Sequence, residues 1–129
     1  MDIVITLPGV LINRIMNGAK KFEVRKTFPG NFMKGVDRVY VVQKKTTNVL
    51  ISFTVDYFKP YVDANSAWKR HGHELGIPVE WLRDYAQTAY TIFLWHIVDV
   101  QVFENPLQLE ENFGIKRAPQ SFCYVRKFQ

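Results

Sequence analysis

Apolar positions along this chain recur in two periods, and the places where the period changes mark out its elements. Asp2 to Thr6 reads as a short strand. Behind Pro8, the residues Leu11, Ile12, Ile15 and Met16 recur at helical spacing, with Asn13, Arg14 and Asn17 on the other side. Gly18 follows, the residue type a helix uses to end in a left-handed conformation. The period then drops to two. Lys21, Glu23 and Arg25 alternate with Phe22 and Val24, giving a short strand with one charged and one apolar face. Such a face is a solvated surface or the floor of a polar cleft, and spacing by itself favours the solvated surface. Thr27 to Asn31 carries Pro-Gly turn chemistry, Arg38 to Gln43 is a strand, and Lys44 to Asn48 is a polar hairpin connection. In the strand that follows, Val49, Ile51, Phe53, Val55 and Tyr57 share one face, with Ser52, Thr54 and Asp56 opposite.

Between Pro60 and Gln87 the helical period returns. Ala64, Ala67, Trp68, His71 and Leu75 form a stripe, with Asp63 or Asn65 as cap and Gly76 as stop. Pro78 opens a second helix that turns Trp81, Leu82, Tyr85 and Ala86 inward. Tyr90 to Phe103 is apolar on both faces through its middle, the pattern of a central strand, bent or bulged near Ile97 to Asp99. Asn105 to Ala118 shows no period and reads as a connection; Phe122 to Phe128 closes the sheet. The order β-α-β-β-β-α-α-β-β predicts an α+β fold, a small mostly antiparallel β-barrel with flanking helices, in a single domain over residues 1–129. The helical insert is expected to cover one mouth of the barrel.

Composition sharpens the class. Across 129 residues, 47% hydrophobic and 15% aromatic content describe a folded globule, and the formal net charge of +5 suits a polyanionic partner. A lone cysteine, Cys123, excludes an intrachain disulfide and points to a reducing compartment. With neither a membrane span nor a signal-peptide pattern, no membrane partner is expected and the cytoplasm is the expected location.

Most routes to catalysis fail on spacing. His71 and His73 stand two apart, which on a helix points them to different sides. Cys123 has no ligand neighbour, and His96, inside an apolar strand, reads as a core histidine bonded to backbone. No phosphate-binding loop, dinucleotide fingerprint or nucleophile elbow is present. No metal site and no cofactor are expected. What remains is the charged strand. Glu23 and Arg25 share its face, either as a structural ion pair at a barrel edge or as a polar floor for a base. Lys20 lies in the turn before them, free to reach over a cleft. Trp81 and Trp95 read as core. Trp68, beside Lys69 and Arg70, reads as a cleft lip, with Lys44, Lys45, Lys69 and Arg70 as a rim attracting phosphate.

The run Gly18-x-Lys20-x-x-Glu23-x-Arg25 resembles the G-x-K-x-x-E-x-R signature of ASCH domains, a branch of the PUA-like superfamily of small β-barrels. Pro119-Gln120-Ser121-Phe122 and Tyr124 resemble that family's closing strand. The resemblance implies a PUA-like barrel over most of the chain, with a cleft between barrel and helices. It implies RNA or a nucleoside as ligand; together with the aromatic and basic residues read above, the candidate binding residues are Lys20, Glu23, Arg25, Trp68, Lys69 and Arg70. Some ASCH proteins remove the acyl group from acetylated cytidine with a Lys, a Thr and a Glu. The Lys position falls on Lys20, the Thr position on Glu23, and the distal Glu on Glu74. Under this alternative, a metal-independent hydrolase of amidohydrolase or ribonuclease type, Lys20, Glu23 and Glu74 are the catalytic candidates. A carboxylate at the Thr position departs from the pattern, because it does not replace a hydroxyl nucleophile. An interaction module without a nucleic-acid role is the third expectation.

Overall fold

Strand β1 (Asp2–Leu7) turns Ile3, Ile5 and Leu7 to one side and Val4 to the other, and all four are buried. A strand buried on both faces sits inside a sheet. Here β3 (Val39–Gln43) runs parallel on one edge and β6 (Phe122–Val125) antiparallel on the other. The parallel pairing needs a crossover, and that connection contains helix α1 (Gly9–Met16) and strand β2 (Phe22–Arg25). With β4 (Asn48–Tyr61) and β5 (Ile92–Gln108), the strands form a six-stranded sheet in the order β2–β5–β4–β3–β1–β6. All its other pairings are antiparallel. The computed structural model describes residues 1–27, 30, 36–87 and 91–125. Phe28, Pro29 and Asn31 of the expected turn, Tyr90, and the end of the closing strand lie outside them.

The sheet curls because its two long strands do not stay in register. The β4–β5 pairing slips at three places, and each bulge bends and twists the strand carrying it. Between the pairs Ser52–Gln101 and Thr54–Val98, β5 has one residue more than β4, and Asp99 there takes φ 51°. Arg38 holds this kink, donating to the Asp99 carboxylate and carbonyl at 2.8 Å each and to Ser52 Oγ at 3.0 Å. The bend therefore falls where the apolar pattern predicts it. Curling brings the outermost strands within side-chain reach: Arg25, ending β2, donates to the Ser121 carbonyl just ahead of β6 at 3.1 Å. The result is an α+β fold with a mostly antiparallel, barrel-like sheet and flanking helices.

Three apolar clusters fill the fold. The first packs Ile12 and Ile15 of α1 against Ile3, Ile5, Phe53 and Trp95. The second seats the helical insert on the sheet. Helix α2 (Ala64–His71) is capped by Asp63, whose Oδ1 accepts from Ser66 N at 2.8 Å. A 3-10 turn over Gly72–Leu75 and helix α3 (Val79–Ala86) follow, and Ala67, Leu75 and Leu82 meet Phe22, Val24, Ile92 and Leu94. The third cluster, on the far face, packs Val4, Tyr40 and Val42 beneath Leu109. Among the described residues no helix is long and apolar enough to cross a membrane.

Several expectations are corrected. The stretch after Asn105 is not a bare connection: β5 runs to Gln108, and helix α4 (Leu109–Phe113) follows. A five-residue helix is too short to display a period. Met16 does not share the buried stripe of α1; it is exposed, and Ile12 and Ile15 carry the packing. His96 Nδ1 pairs with Asp56 Oδ1 at 2.7 Å, with Tyr57 stacked on its ring, so its partner is a carboxylate rather than backbone. The face of β4 also changes part-way. The register slip between Val55 and Phe58 leaves Tyr57 exposed and packs Phe58 against the first cluster.

This reversal is testable. Phe58→Ala should lose roughly 2–4 kcal/mol of stability, near the lower end for buried aromatics. Tyr57→Ala should lose about 1 kcal/mol, the worth of one aromatic stack. Urea unfolding of the two variants reads the ordering directly, and the opposite order would restore unbroken alternation.

Candidate functional site

The opening of β2 is fixed by three elements distant in sequence. Helix α1 ends at Asn17, and Gly18 takes φ 84°, a left-handed value that costs glycine little. Ala19 N donates to Asn17 Oδ1 and Lys20 N to Arg14 O, both at 2.9 Å, so the chain doubles back tightly under the helix. It is then stapled to the 3-10 turn of the insert. Lys21 N donates to Glu74 O at 2.7 Å, Arg14 to Gly76 O at 2.8 Å, and Lys20 Nζ to Leu75 O at 2.7 Å. Gly76, at φ 68°, lies so close that a Cβ on it would sit 3.0 Å from Lys20 Cα and nearer still to the lysine side chain. Close packing of this kind leaves Lys20 2% exposed. It is a buried residue and not a free arm over a cleft.

The charged face of β2 is buried as well, at 3% exposure for Glu23 and 9% for Arg25. Spacing favours a solvated surface; the 3-10 turn and the segment ahead of β6 cover it instead. Glu23 Oε2 accepts from Arg25 Nε at 2.8 Å, and Oε1 faces Lys20 Nζ at 3.7 Å, an ion pair beyond hydrogen-bond length. The Arg25 guanidinium lies 5.8 Å from the ring centre of buried Trp95, within cation–π range. One carboxylate thus stands between two basic side chains. Burial holds the Lys20 pKa below its usual value; Glu23 pulls it back up, while Arg25 and Arg14 add to the lowering.

Above this floor opens a cleft of about 280 Å³. Leu7, Leu11 and Ile77 supply apolar walls, Thr6 and Gln120 polar ones, and Trp81 and Tyr85 an aromatic side. Trp81, expected in the core, is 52% exposed. Neighbouring residues on a helix stand about 100° apart, so the pairs 81/85 and 82/86 make separate stripes. Leu82 takes the core, and the aromatic stripe takes the cleft. Tyr85 is held in place: its hydroxyl accepts from Lys26 N at 3.2 Å, and the Lys26 ammonium lies 4.8 Å from its ring centre. Burial raises the Tyr85 pKa. Gln120 is held beside Thr6, whose Oγ1 donates to Pro119 O at 2.7 Å.

The other candidate residues stand elsewhere. Trp68 lies edge-on to His73 and lines a separate depression with Arg14 and Glu80. Lys69 and Arg70 are exposed on the last turn of α2 and line neither space. The Glu74 side chain is half-exposed beside His71, whose Nδ1 is 3.9 Å away, and only its backbone reaches the Lys20 turn. Trp81, Tyr85, Thr6 and Gln120 are the cleft residues that the sequence reading did not assign to a site. The i, i+4 aromatic pair on α3 was their one visible signal.

Solved structures share this architecture over nearly its whole length. A crystal structure of an ASCH protein from Zymomonas mobilis matches with a TM-score of 0.81, at 22% identity, over 98% of this chain and 88% of that one. The fold is that of an ASCH domain. A serine-to-alanine variant of the Zymomonas ASCH protein gives 0.83 at 22% identity over 98% and 89% of the two chains. A tyrosine-to-phenylalanine variant gives 0.82 at 23% over 98% and 91%. No protein-family model and no curated protein matches the sequence. In this ASCH fold, Lys20, Glu23 and Arg25 of the resembling run line the cleft, and so does Gln120 of the segment that leads into the closing strand.

The buried lysine carries a pH signature. Because its folded pKa is depressed, the unfolded chain binds that proton more tightly, and stability rises with pH between the folded value and 10.5. Tyr40 and Tyr85, whose pKa values burial raises, act in the opposite sense above 10.0 and cancel when the parent is compared with a Lys20 variant. The unfolding free energy of the parent minus that of Lys20→Met should therefore grow as pH climbs from neutrality toward 10.5. A constant difference in urea titrations across that range would show that folding leaves the Lys20 proton undisturbed.

Proposed function

We propose that this protein binds RNA through a single nucleoside unit held in the cleft above Lys20, Glu23 and Arg25. The observation that carries the reading is a buried floor of two basic side chains and one carboxylate beside an aromatic wall. The cations favour a carbonyl or anionic oxygen on the ligand; the carboxylate between them favours an amine or imino hydrogen; Trp81 offers a π-face. A nucleobase presents all three. The volume, about 280 Å³, falls just below the usual range of ligand sites, which starts at ~300 Å³. The Gly18–Arg25 resemblance to ASCH domains points to the same ligand class.

Trp81 gives the clean test, because its exposed ring separates binding from folding. Trp81→Ala should change stability by no more than about 1 kcal/mol and weaken binding roughly ten- to a hundredfold, as loss of one base stack does. Calorimetric or NMR titration with the four ribonucleosides and short RNAs measures both proteins. Equal affinity in parent and variant, or no binding to any of these ligands, would overturn the reading.

A hydrolytic reading has one observation in its favour, the lowered pKa of Lys20, which suits a general base. The remaining parts oppose it. Glu74 points away from the cleft, and the Thr6 hydroxyl gives its proton to Pro119 O. Acetylated cytidine should therefore be bound without being deacylated, as followed by chromatography. Turnover that survives chelators and is abolished in Lys20→Met would replace the binding reading with the hydrolase.

A further inference from the structure

Among the described residues two depressions share lining with the base cleft, and their charge distinguishes them. The first shares Ile77 with the cleft. It carries a carboxylate, Glu80, and its guanidinium, Arg14, is engaged with Gly76 O at 2.8 Å. The second shares Thr6 and Gln120 with the cleft, measures about 450 Å³, and has Lys44 and Lys45 on its far side. Acidic residues are absent from its described lining. Neither lysine takes part in an ion pair among the described residues, whereas Lys20, Arg25 and Arg38 all do.

The Lys44–Lys45 turn is built to a fixed shape. Lys44 N donates to Leu7 O at 2.9 Å, at the end of the strand that carries Thr6. Thr46 closes the turn, its N–H and hydroxyl both donating to Gln43 O at 3.0 and 2.9 Å, and its hydroxyl oxygen accepts from Asn48 N at 3.0 Å. Lys45 takes φ 69° there. Both ammonium groups are thus carried on a backbone already ordered, so little is lost on engaging a ligand apart from side-chain freedom. Thr6 and Gln120 form the sill between the two spaces, itself fixed by the Thr6–Pro119 bond at 2.7 Å.

We infer that the phosphate attached to the bound nucleoside leaves the base cleft across the Thr6–Gln120 sill and lies against Lys44 and Lys45. An RNA strand accordingly follows this basic groove and does not run toward Glu80 or toward Lys69 and Arg70. The charge complementarity is direct: a dianionic or diester phosphate meets two lysines that have no ion-pair partner, in a space lined by no carboxylate, among the described residues. Lysine serves here as a point charge, attracting phosphate without reading sequence. The inference rests on the nucleoside reading of the first cleft and adds the direction in which the chain leaves it.

Titration of the parent, of Lys44→Gln/Lys45→Gln and of Lys69→Gln/Arg70→Gln tests it. The probes are the four ribonucleosides, their 3′- and 5′-monophosphates and a short single-stranded RNA. Nucleosides should bind all three proteins equally. In the Lys44/Lys45 variant, monophosphates and RNA should lose about tenfold or more in affinity. The slope of log K against log salt for RNA should fall by about 0.7, the single-strand value for the one phosphate that both lysines contact. The Lys69/Arg70 variant should match the parent. Nucleoside binding with phosphate affinity and salt slope unchanged in the Lys44/Lys45 variant would overturn the groove and leave the base cleft standing. Losses confined to the Lys69/Arg70 variant would overturn it in favour of the other rim. Absence of binding by any nucleoside, nucleotide or RNA to the parent would overturn the base cleft, and the groove with it.

Discussion

A carboxylate buried between two cations is the constraint on which the rest of this structure depends. Glu23 alone, at 3% exposure, would be far too costly to ionise out of water. Arg25 answers it at hydrogen-bond length and Lys20 at ion-pair length. Each of those cations is anchored in turn by a carbonyl from a different part of the chain, Leu75 for Lys20 and Ser121 for Arg25. The cluster thus ties β2 to the helical insert on one side and to the segment ahead of β6 on the other. Buried ion pairs rarely add net stability, since desolvation offsets the attraction, but breaking one by removing a partner costs about 3–5 kcal/mol. Its structural effect is therefore specificity of closure. In this arrangement of the outer strands Glu23 meets both basic side chains, and each of these also reaches a carbonyl.

The same cluster explains why the cleft lies where it does. A closed backbone ladder between β2 and β6 would leave no opening at this seam. A side-chain seam leaves a gap above itself, and the gap is walled by whatever packs next to it. Helix α3 fills that role by dividing its surface: Leu82 enters the second cluster, while Trp81 and Tyr85 face the opening. Anchoring and cleft lining thus fall to different stripes of one helix. On the floor they are not separable, because Lys20, Glu23 and Arg25 both close the fold and present its polar surface.

The bulges between β4 and β5 set the curvature that makes closure possible. Arg38 binds both the carboxylate and the carbonyl of Asp99, fixing a left-handed residue inside a long strand. The slip between Val55 and Phe58 does the equivalent on β4. Curvature from these irregularities brings Ser121 to Arg25 across 96 residues of sequence.

Local pattern determined much of this protein. The order of strands and helices from β1 to β5, the stop at Gly18, the end at Gly76 and the bend near Asp99 were all legible, and the cap was narrowed to Asp63 or Asn65, because each follows from neighbours within a few residues. The Gly18–Arg25 run also pointed to the ASCH fold and to the stretch where the cleft stands. Tertiary structure decided the rest. Alternation gave β2 a charged face but could not say what covers it, since the covering groups come from Leu75 and Ser121. Helical spacing grouped Trp81 with Leu82 because the two stripes overlap until a neighbouring element chooses one. A single inserted residue reversed the roles of Tyr57 and Phe58, as a period of two allows no other response to a slip. In each case the deciding contact spans a distance along the chain that no local period encodes.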